Sequence, residues 1–228
     1  MSEWKLILGV GITAICLWFI PHREVLAESM LENPLFQLPD EETLERLLTG
    51  EIVIENNISD ENGAAASVLI FVHGPVEKLW SVITTCTQVE IFVDGLKFCQ
   101  VLEEQGDYAL TRQVVDKGWA SPRIDYTFET HRIPFTRMQF QLTDGNLKTM
   151  QGSWDFKNHP NGVLVRHRLV LRPLLPVPRW LVRRIMKKDL PNMLACVRGL
   201  ADGGSSPEAQ RQDILKCPNR KNQTGRSR

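Results

Sequence analysis

The chain has 228 residues, 43% of them apolar, and a formal net charge of zero. That length and composition suit one medium domain with appendages and exclude a pair of full domains. The neutral total hides an asymmetry, because residues 24–61 are acidic with Arg46 as the lone base, whereas the carboxyl end is basic. The basic helix face near that end carries no interleaved aromatic residues. This argues against a nucleic-acid partner and leaves an anionic membrane surface or plain solvation.

Residues 6–20, LILGVGITAICLWFI, form a charge-free run. It is shorter than the roughly 20 residues of a spanning helix and suits the apolar core of a signal peptide. Val25-Leu26-Ala27 offers small residues at plausible cleavage positions. A cleaved signal and a retained anchor over 1–27 both stay open, with a buried core helix as a third reading, and either of the first two takes the chain to or across a membrane. Residues 28–50 read as a linker and a short helix, with Asp40 as N-cap of 41–48 and Gly50 past its end.

Two strands follow, 51–58 and 65–73, joined at Asp60-Glu61-Asn62-Gly63. Gly74-Pro75 opens a helix at 76–85, with Leu79, Val82 and Ile83 inward, then a looser stretch anchored by Phe92. Strands at 96–104 and 108–117 meet at Gln105-Gly106-Asp107. Beyond them alternation is clean. Ile124, Tyr126 and Phe128 share a face, as do Met138, Phe140 and Leu142, then Met150, Trp154 and Phe156, then Val163, Val165, His167, Leu169 and Leu171. Such a period of two marks an antiparallel sheet with one wet and one buried face.

Residues 178–200 predict one long helix, roughly 34 Å at ~1.5 Å per residue. Val182, Ile185, Met186, Leu190, Met193, Val197 and Leu200 share its apolar face; Arg183, Arg184, Lys187, Lys188 and Arg198 share the other. Pro191 should bend it. Asp189 falls within the apolar stripe, either capping a helix restart or aiming a carboxylate into a cavity. The fold class is therefore α+β, a curved antiparallel sheet of about seven strands wrapped around a long C-terminal helix. The ligand-binding domain spans 51–202, and the polar, basic tail 203–228 is expected to be disordered.

Five cysteines, Cys16, Cys86, Cys99, Cys196 and Cys217, show no metal-ligand spacing. Cys99 and Cys196 fall in core-like segments, where reduced cysteine is an ordinary small apolar residue, so no disulfide framework is expected.

The order of five local motifs carries a resemblance. They are Gly74-Pro75-Val76-Glu77-Lys78-Leu79-Trp80; Phe92 to Leu96 followed by Cys99; Gly152-Ser153-Trp154; Arg172-Pro173 with Pro178; and Asp189-Leu190-Pro191. Together they resemble the START-like (SRPBCC) superfamily, nearest its branch of polyketide cyclase/dehydrase and coenzyme Q-binding START proteins. The resemblance implies a helix-grip fold around an apolar cavity. Its members bind lipids, isoprenoid quinones or polyketides; some are enzymes and many only carry a ligand. No cofactor or metal is implied.

The candidate lining comprises Trp119, Tyr126, Phe128, Met138, Phe140, Trp154, His167 and Leu169 from the sheet and Met186, Leu190 and Met193 from the helix. A catalytic reading rests on His167, Asp189, Arg112 and Tyr126. His167 is a polar ring on an otherwise apolar strand face, either functional or a core histidine bonded to backbone or water. The expected function is binding or carrying a hydrophobic small molecule, as a monomer and near a membrane. The alternatives are a cyclase- or dehydratase-like enzyme using the same cavity, and an interaction protein whose interior is filled by its own side chains.

Overall fold

The computed structural model describes residues 36–60, 63–118, 122–174, 178–202 and 212–219, without the side chains of 58–60, 179, 182, 183 and 186. The expected targeting segment 1–27, residues 28–35 of the linker, Trp119 and most of the basic tail lie outside the described residues.

Asp40 caps helix α1, Glu41–Leu48, by accepting the Thr43 N–H at 2.8 Å, with Glu41 and Glu42 at the positive end of the helix dipole. Eight strands then form one antiparallel sheet: β1 Val53–Asp60, β2 Gly63–Val72, β3 Leu96–Gln105, β4 Tyr108–Val115, β5 Ile124–Ile133, β6 Arg137–Gly145, β7 Leu147–His159 and β8 Gly162–Pro173. Their spatial order is β1-β2-β8-β7-β6-β5-β4-β3. Only β2 to β8 joins strands distant in the chain, so the first hairpin is paired with the last strand.

The period-two pattern sorts side chains onto two faces. Val68, Ile70, Val163 and Val165 point inward to the main core. On the outer face, Leu69, Phe71 and Leu164 are covered by Phe36 and Leu47 of the α1 region. The outer face expected to be wet is thus apolar and covered on β2 and β8. Arg166 closes this patch, its guanidinium 4.7 Å from the Phe36 ring and bonded to Glu55 at 2.9 Å.

Helix α2, Val76–Thr84, buries Leu79, Val82 and Ile83. Its Gly74-Pro75 entry has a packing reason: a methyl on Gly74 would sit 2.5 Å from the Ala201 carbonyl at the end of the last helix. Beside it the His73 N–H donates to Asp202 Oδ1 at 2.9 Å. The stretch expected to be loose is a second helix, α3, Cys86–Phe92, which buries Val89, Ile91 and Phe92. Too short to show a helical period, it holds through those contacts and a bridge to β3.

The last helix is not continuous. It runs as α4 Arg179–Arg184, a π-helical turn Ile185–Asp189, and α5 Leu190–Ala201. Pro191 is the cause. It has no N–H for the carbonyl four residues back, and its ring would crowd that carbonyl. One turn widens instead, with the Leu190 N–H donating to the Ile185 carbonyl, five residues back.

Two expectations are corrected. Cys86 is bridged to Cys99 and Cys196 to Cys217, with Cα atoms 5.5 and 4.8 Å apart. Cys99 and Cys196 are therefore not reduced core residues; each meets a partner brought in by tertiary packing. Nor is the tail wholly without order. Gln212–Lys216 forms a 3-10 turn against α5, where buried Arg198 and Asp213 pair at 2.6 Å. Asn219 then donates its amide to the Glu90 and Val93 carbonyls, at 2.9 and 2.7 Å. The tail thus joins α5 to α3.

Candidate functional site

Between the inner face of the sheet and the π turn and α5 lies a cavity of about 380 Å³. Its floor is made where three strands align. Met138 pairs with Trp154 across β6 and β7, and Trp154 with His167 across β7 and β8. Gly152 lets the Phe140 ring and the β8 backbone pack closely against β7, because a methyl at that position would strike the Arg168 carbonyl and the Phe140 ring. Toward the mouth the walls are Ile124, Tyr126 and Phe128 of β5, Leu147 and Met150 of β7, and Leu169 and Leu171 of β8. The helical side gives Ile185, Leu190, Asn192 and Met193.

Of the residues singled out in the sequence, Tyr126, Phe128, Met138, Phe140, Trp154, His167, Leu169, Leu190 and Met193 all line this cavity, as does Asp189. Trp119 and the Met186 side chain lie outside the described residues. Arg112 is not part of the site: it faces outward, its guanidinium paired with Asp125 at 2.8 and 3.0 Å. The cap role open to Asp189 is also ruled out. The residue is helical, makes no capping bond, and reaches Lys117 Nζ at 3.2 Å on the rim. Lys117 also pairs with Asp94 at 2.9 Å, so the mouth carries charge while the interior is apolar.

Sequence reasoning missed Gln113, Lys117, Asn192, Lys216 and Pro218 in the lining. Lys216 and Pro218 flank Cys217, whose bridge to Cys196 brings them to the wall. An even set of cysteines downstream of the apolar run was the available signal.

Two polar groups inside the cavity have defined states. His167 is 4% exposed, its ring 4.0 Å from Trp154 and 6.2 Å from Phe140, with Nδ1 3.2 Å from the Ser153 carbonyl. Burial lowers its pKa from 6.5 to about 4, against the small opposing effect of that carbonyl. The ring is therefore neutral at pH 7. Tyr126 donates its hydroxyl to Gln113 Oε1 at 2.6 Å, and burial pushes its pKa upward, so it stays a phenol. Among the described residues no group of His, Cys, Asp or Glu comes together as a metal site would require.

A wider depression of about 670 Å³ lies on the outer face of the sheet, among Ser67, Glu129, Arg137, Gln139 and Arg168. Its cations already have a partner in buried Asp155, at 3.1 and 3.0 Å. The inner cavity, concave and lined mostly by apolar side chains, has the form of a small-molecule site.

A curved sheet gripping a terminal helix around an apolar cavity defines the START-like, helix-grip class. The model of the polyketide cyclase/dehydrase and lipid transport family matches residues 72–198, more than half of the chain. The chain belongs to that family. No curated protein matches it in sequence. Among solved structures it is similar to the STAR-related lipid transfer protein of Xanthomonas axonopodis, at 10% identity and TM-score 0.56, over 72% of this chain and 95% of that one. It is similar to the protein TTHA0849 of Thermus thermophilus, at 17% identity and TM-score 0.52, over 62% of this chain and 99% of that one. A third is the di-domain ARO/CYC StfQ of the steffimycin biosynthetic pathway, at 11% identity and TM-score 0.51, over 64% of this chain and 53% of that one. At such identities the likeness is one of fold.

Proposed function

We propose that the domain binds and carries a hydrophobic small molecule, such as a lipid or an isoprenoid quinone, in the cavity between sheet and last helix. The observation that carries this reading is the open-mouthed, mostly apolar space of about 380 Å³ in a chain of this family. That size lies near the low end of the roughly 300–1,000 Å³ of small-molecule sites. It suits one chain or a compact ring system. Burial at ~25 cal/mol per Å² holds such a molecule without a charge partner.

The alternative of a cyclase- or dehydratase-like enzyme finds less support. His167 is held neutral well below its ordinary pKa, and Asp189 is engaged by Lys117 at the rim. General acid–base work is served best by a pKa near the working pH.

A place at a membrane surface outside the reducing cytosol fits three features. The apolar run 6–20 precedes the domain. Two disulfides suit an oxidising compartment. Trp180 and Leu174, each 62% exposed, and exposed Arg184, Lys187 and Lys188 all fall within residues 174–188 of the chain. Among the described residues no helix is long and apolar enough to cross a membrane.

Native mass spectrometry of the purified protein, followed by organic extraction, tests the carrier reading. A copurifying or added lipid, quinone or polyketide that raises the mass stoichiometrically is the expected result. An interior that takes up none of them refutes it, and chemical turnover of an added polyketide favours the enzyme.

A further inference from the structure

The floor of the cavity carries a hydrogen-bond acceptor whose identity the backbone decides. His167 is the deepest residue of β8 in the lining; Val165 and Val163 beyond it are packed into the core. Its Nδ1 lies 3.2 Å from the Ser153 carbonyl, and a carbonyl oxygen only accepts. The proton must then sit on Nδ1, which leaves the lone pair on Nε2. A ring turned over would give up the Ser153 bond. The plane is also fixed, with Trp154 at 4.0 Å and Phe140 at 6.2 Å on the ring. These stacked rings hold the imidazole in one plane, so its free nitrogen is a fixed acceptor among largely apolar neighbours.

From this we infer that the cavity selects apolar molecules whose leading end carries a hydroxyl donor, such as a phenol, an enol or an alcohol, over matched ethers and carbonyls. A carbonyl oxygen at the floor would face the Nε2 lone pair and lose its water without a replacement. A hydroxyl would donate to Nε2 and keep its hydrogen bond while the rest of the molecule is buried. Among isoprenoid ligands, the floor favours the reduced, hydroxyl-bearing form of a ring over the oxidised dicarbonyl form. The inference rests on the carrier reading above and specifies its ligand class. The low basicity of the buried ring agrees with it, because the lone pair stays free of a proton at neutral pH.

Paired probes test this in the parent protein. Binding of para-nonylphenol and of its methyl ether is measured by calorimetry, with farnesol and its methyl ether as a second pair. The hydroxyl member should bind about tenfold tighter, the scale of one buried hydrogen bond gained against one lost. In His167→Phe the preference should vanish while both members still bind. Nitrogen NMR gives a readout that needs no variant: the Nε2 resonance should shift on adding the phenol and stay put on adding the ether. Equal affinities in the parent, an unmoved Nε2 resonance, or a preference that survives in His167→Phe would each overturn the inference and leave the carrier reading standing. Failure of all four probes to bind would overturn the inference, and the carrier reading would fall with it only if lipid, quinone and polyketide were also refused.

Discussion

Trp154 and His167 are cross-strand partners on β7 and β8, and their rings lie 4.0 Å apart at the floor of the cavity. Burying the imidazole there has a thermodynamic consequence. Its folded pKa of about 4 lies below the 6.5 of the exposed ring, so the unfolded chain binds the proton more tightly. The stabilisation is complete above pH 6.5 and is lost as pH falls from there toward about 4. It amounts to about 3 kcal/mol, since each tenfold change in proton affinity is worth about 1.4 kcal/mol. Urea unfolding at pH 7 and pH 4.5 should show His167→Phe losing less stability on acidification than the parent. Identical slopes would place the acid-sensitive group elsewhere.

The bridge from Cys196 to Cys217 should stabilise the fold by about 3 kcal/mol, as expected for a closed loop of this length. Cys217→Ser should lower the urea midpoint accordingly. It should also weaken uptake of an apolar probe, because Lys216 and Pro218 lose their anchorage at the wall. An unchanged midpoint would mean that the Arg198–Asp213 pair and Asn219 hold the tail without the disulfide.

Leu190 is buried on the helical wall, and Leu190→Trp should fill much of the space in front of His167. Overpacking costs about 1–3 kcal/mol where a core is already full and less where a void receives the ring. A near-parental Tm together with loss of apolar probe binding is the expected pair of results. A large drop in Tm would indicate that the space is smaller than the geometry shows.

Lys187 and Lys188 are exposed on the π turn, on the same stretch as exposed Trp180. Each cation near an anionic bilayer contributes about 1 kcal/mol. The double charge reversal Lys187→Glu, Lys188→Glu should therefore lower cosedimentation with phosphatidylserine vesicles by at least tenfold, with little effect on neutral vesicles. Equal binding by parent and variant would remove this surface from the reading.

Much of the sheet was legible because its physics is local. Tyr126, Phe128, Met138, Phe140 and Trp154 alternate with polar residues, and a period of two leaves one choice of face. The cavity residues followed from that choice, since they are the inward members near the sheet's open end. Arg112 was not legible: Thr111, Gln113 and Val114 around it are all buried, so burial of its neighbours does not reveal its own side. The short α3 gave no period to read. The disulfides depend on which distant segments meet, and Cys217 sits in a tail whose polar composition resembles that of a disordered segment. Asp189, two residues before Pro191, left a cap and an inward carboxylate both open. The π turn keeps it helical instead and sends its carboxylate to Lys117.

That π turn can be described as one surplus residue in an α-helix. A helix advances by about 100° per residue, so the surplus sets the rotational phase of everything before it relative to everything after. Ile185, the first residue of the turn, and Leu190, the first after it, both reach the cavity in the present phase. Deleting Lys187 while replacing Pro191 with alanine, which restores the missing N–H, would close the turn into ordinary α-helix and rotate α4 by about 100° against a stationary α5. Ile185 would swing off the wall, and Trp180 would face a new direction. In this protein the length of the last helix, counted in single residues, works as a dial that couples the shape of the cavity to the surface displayed at its mouth.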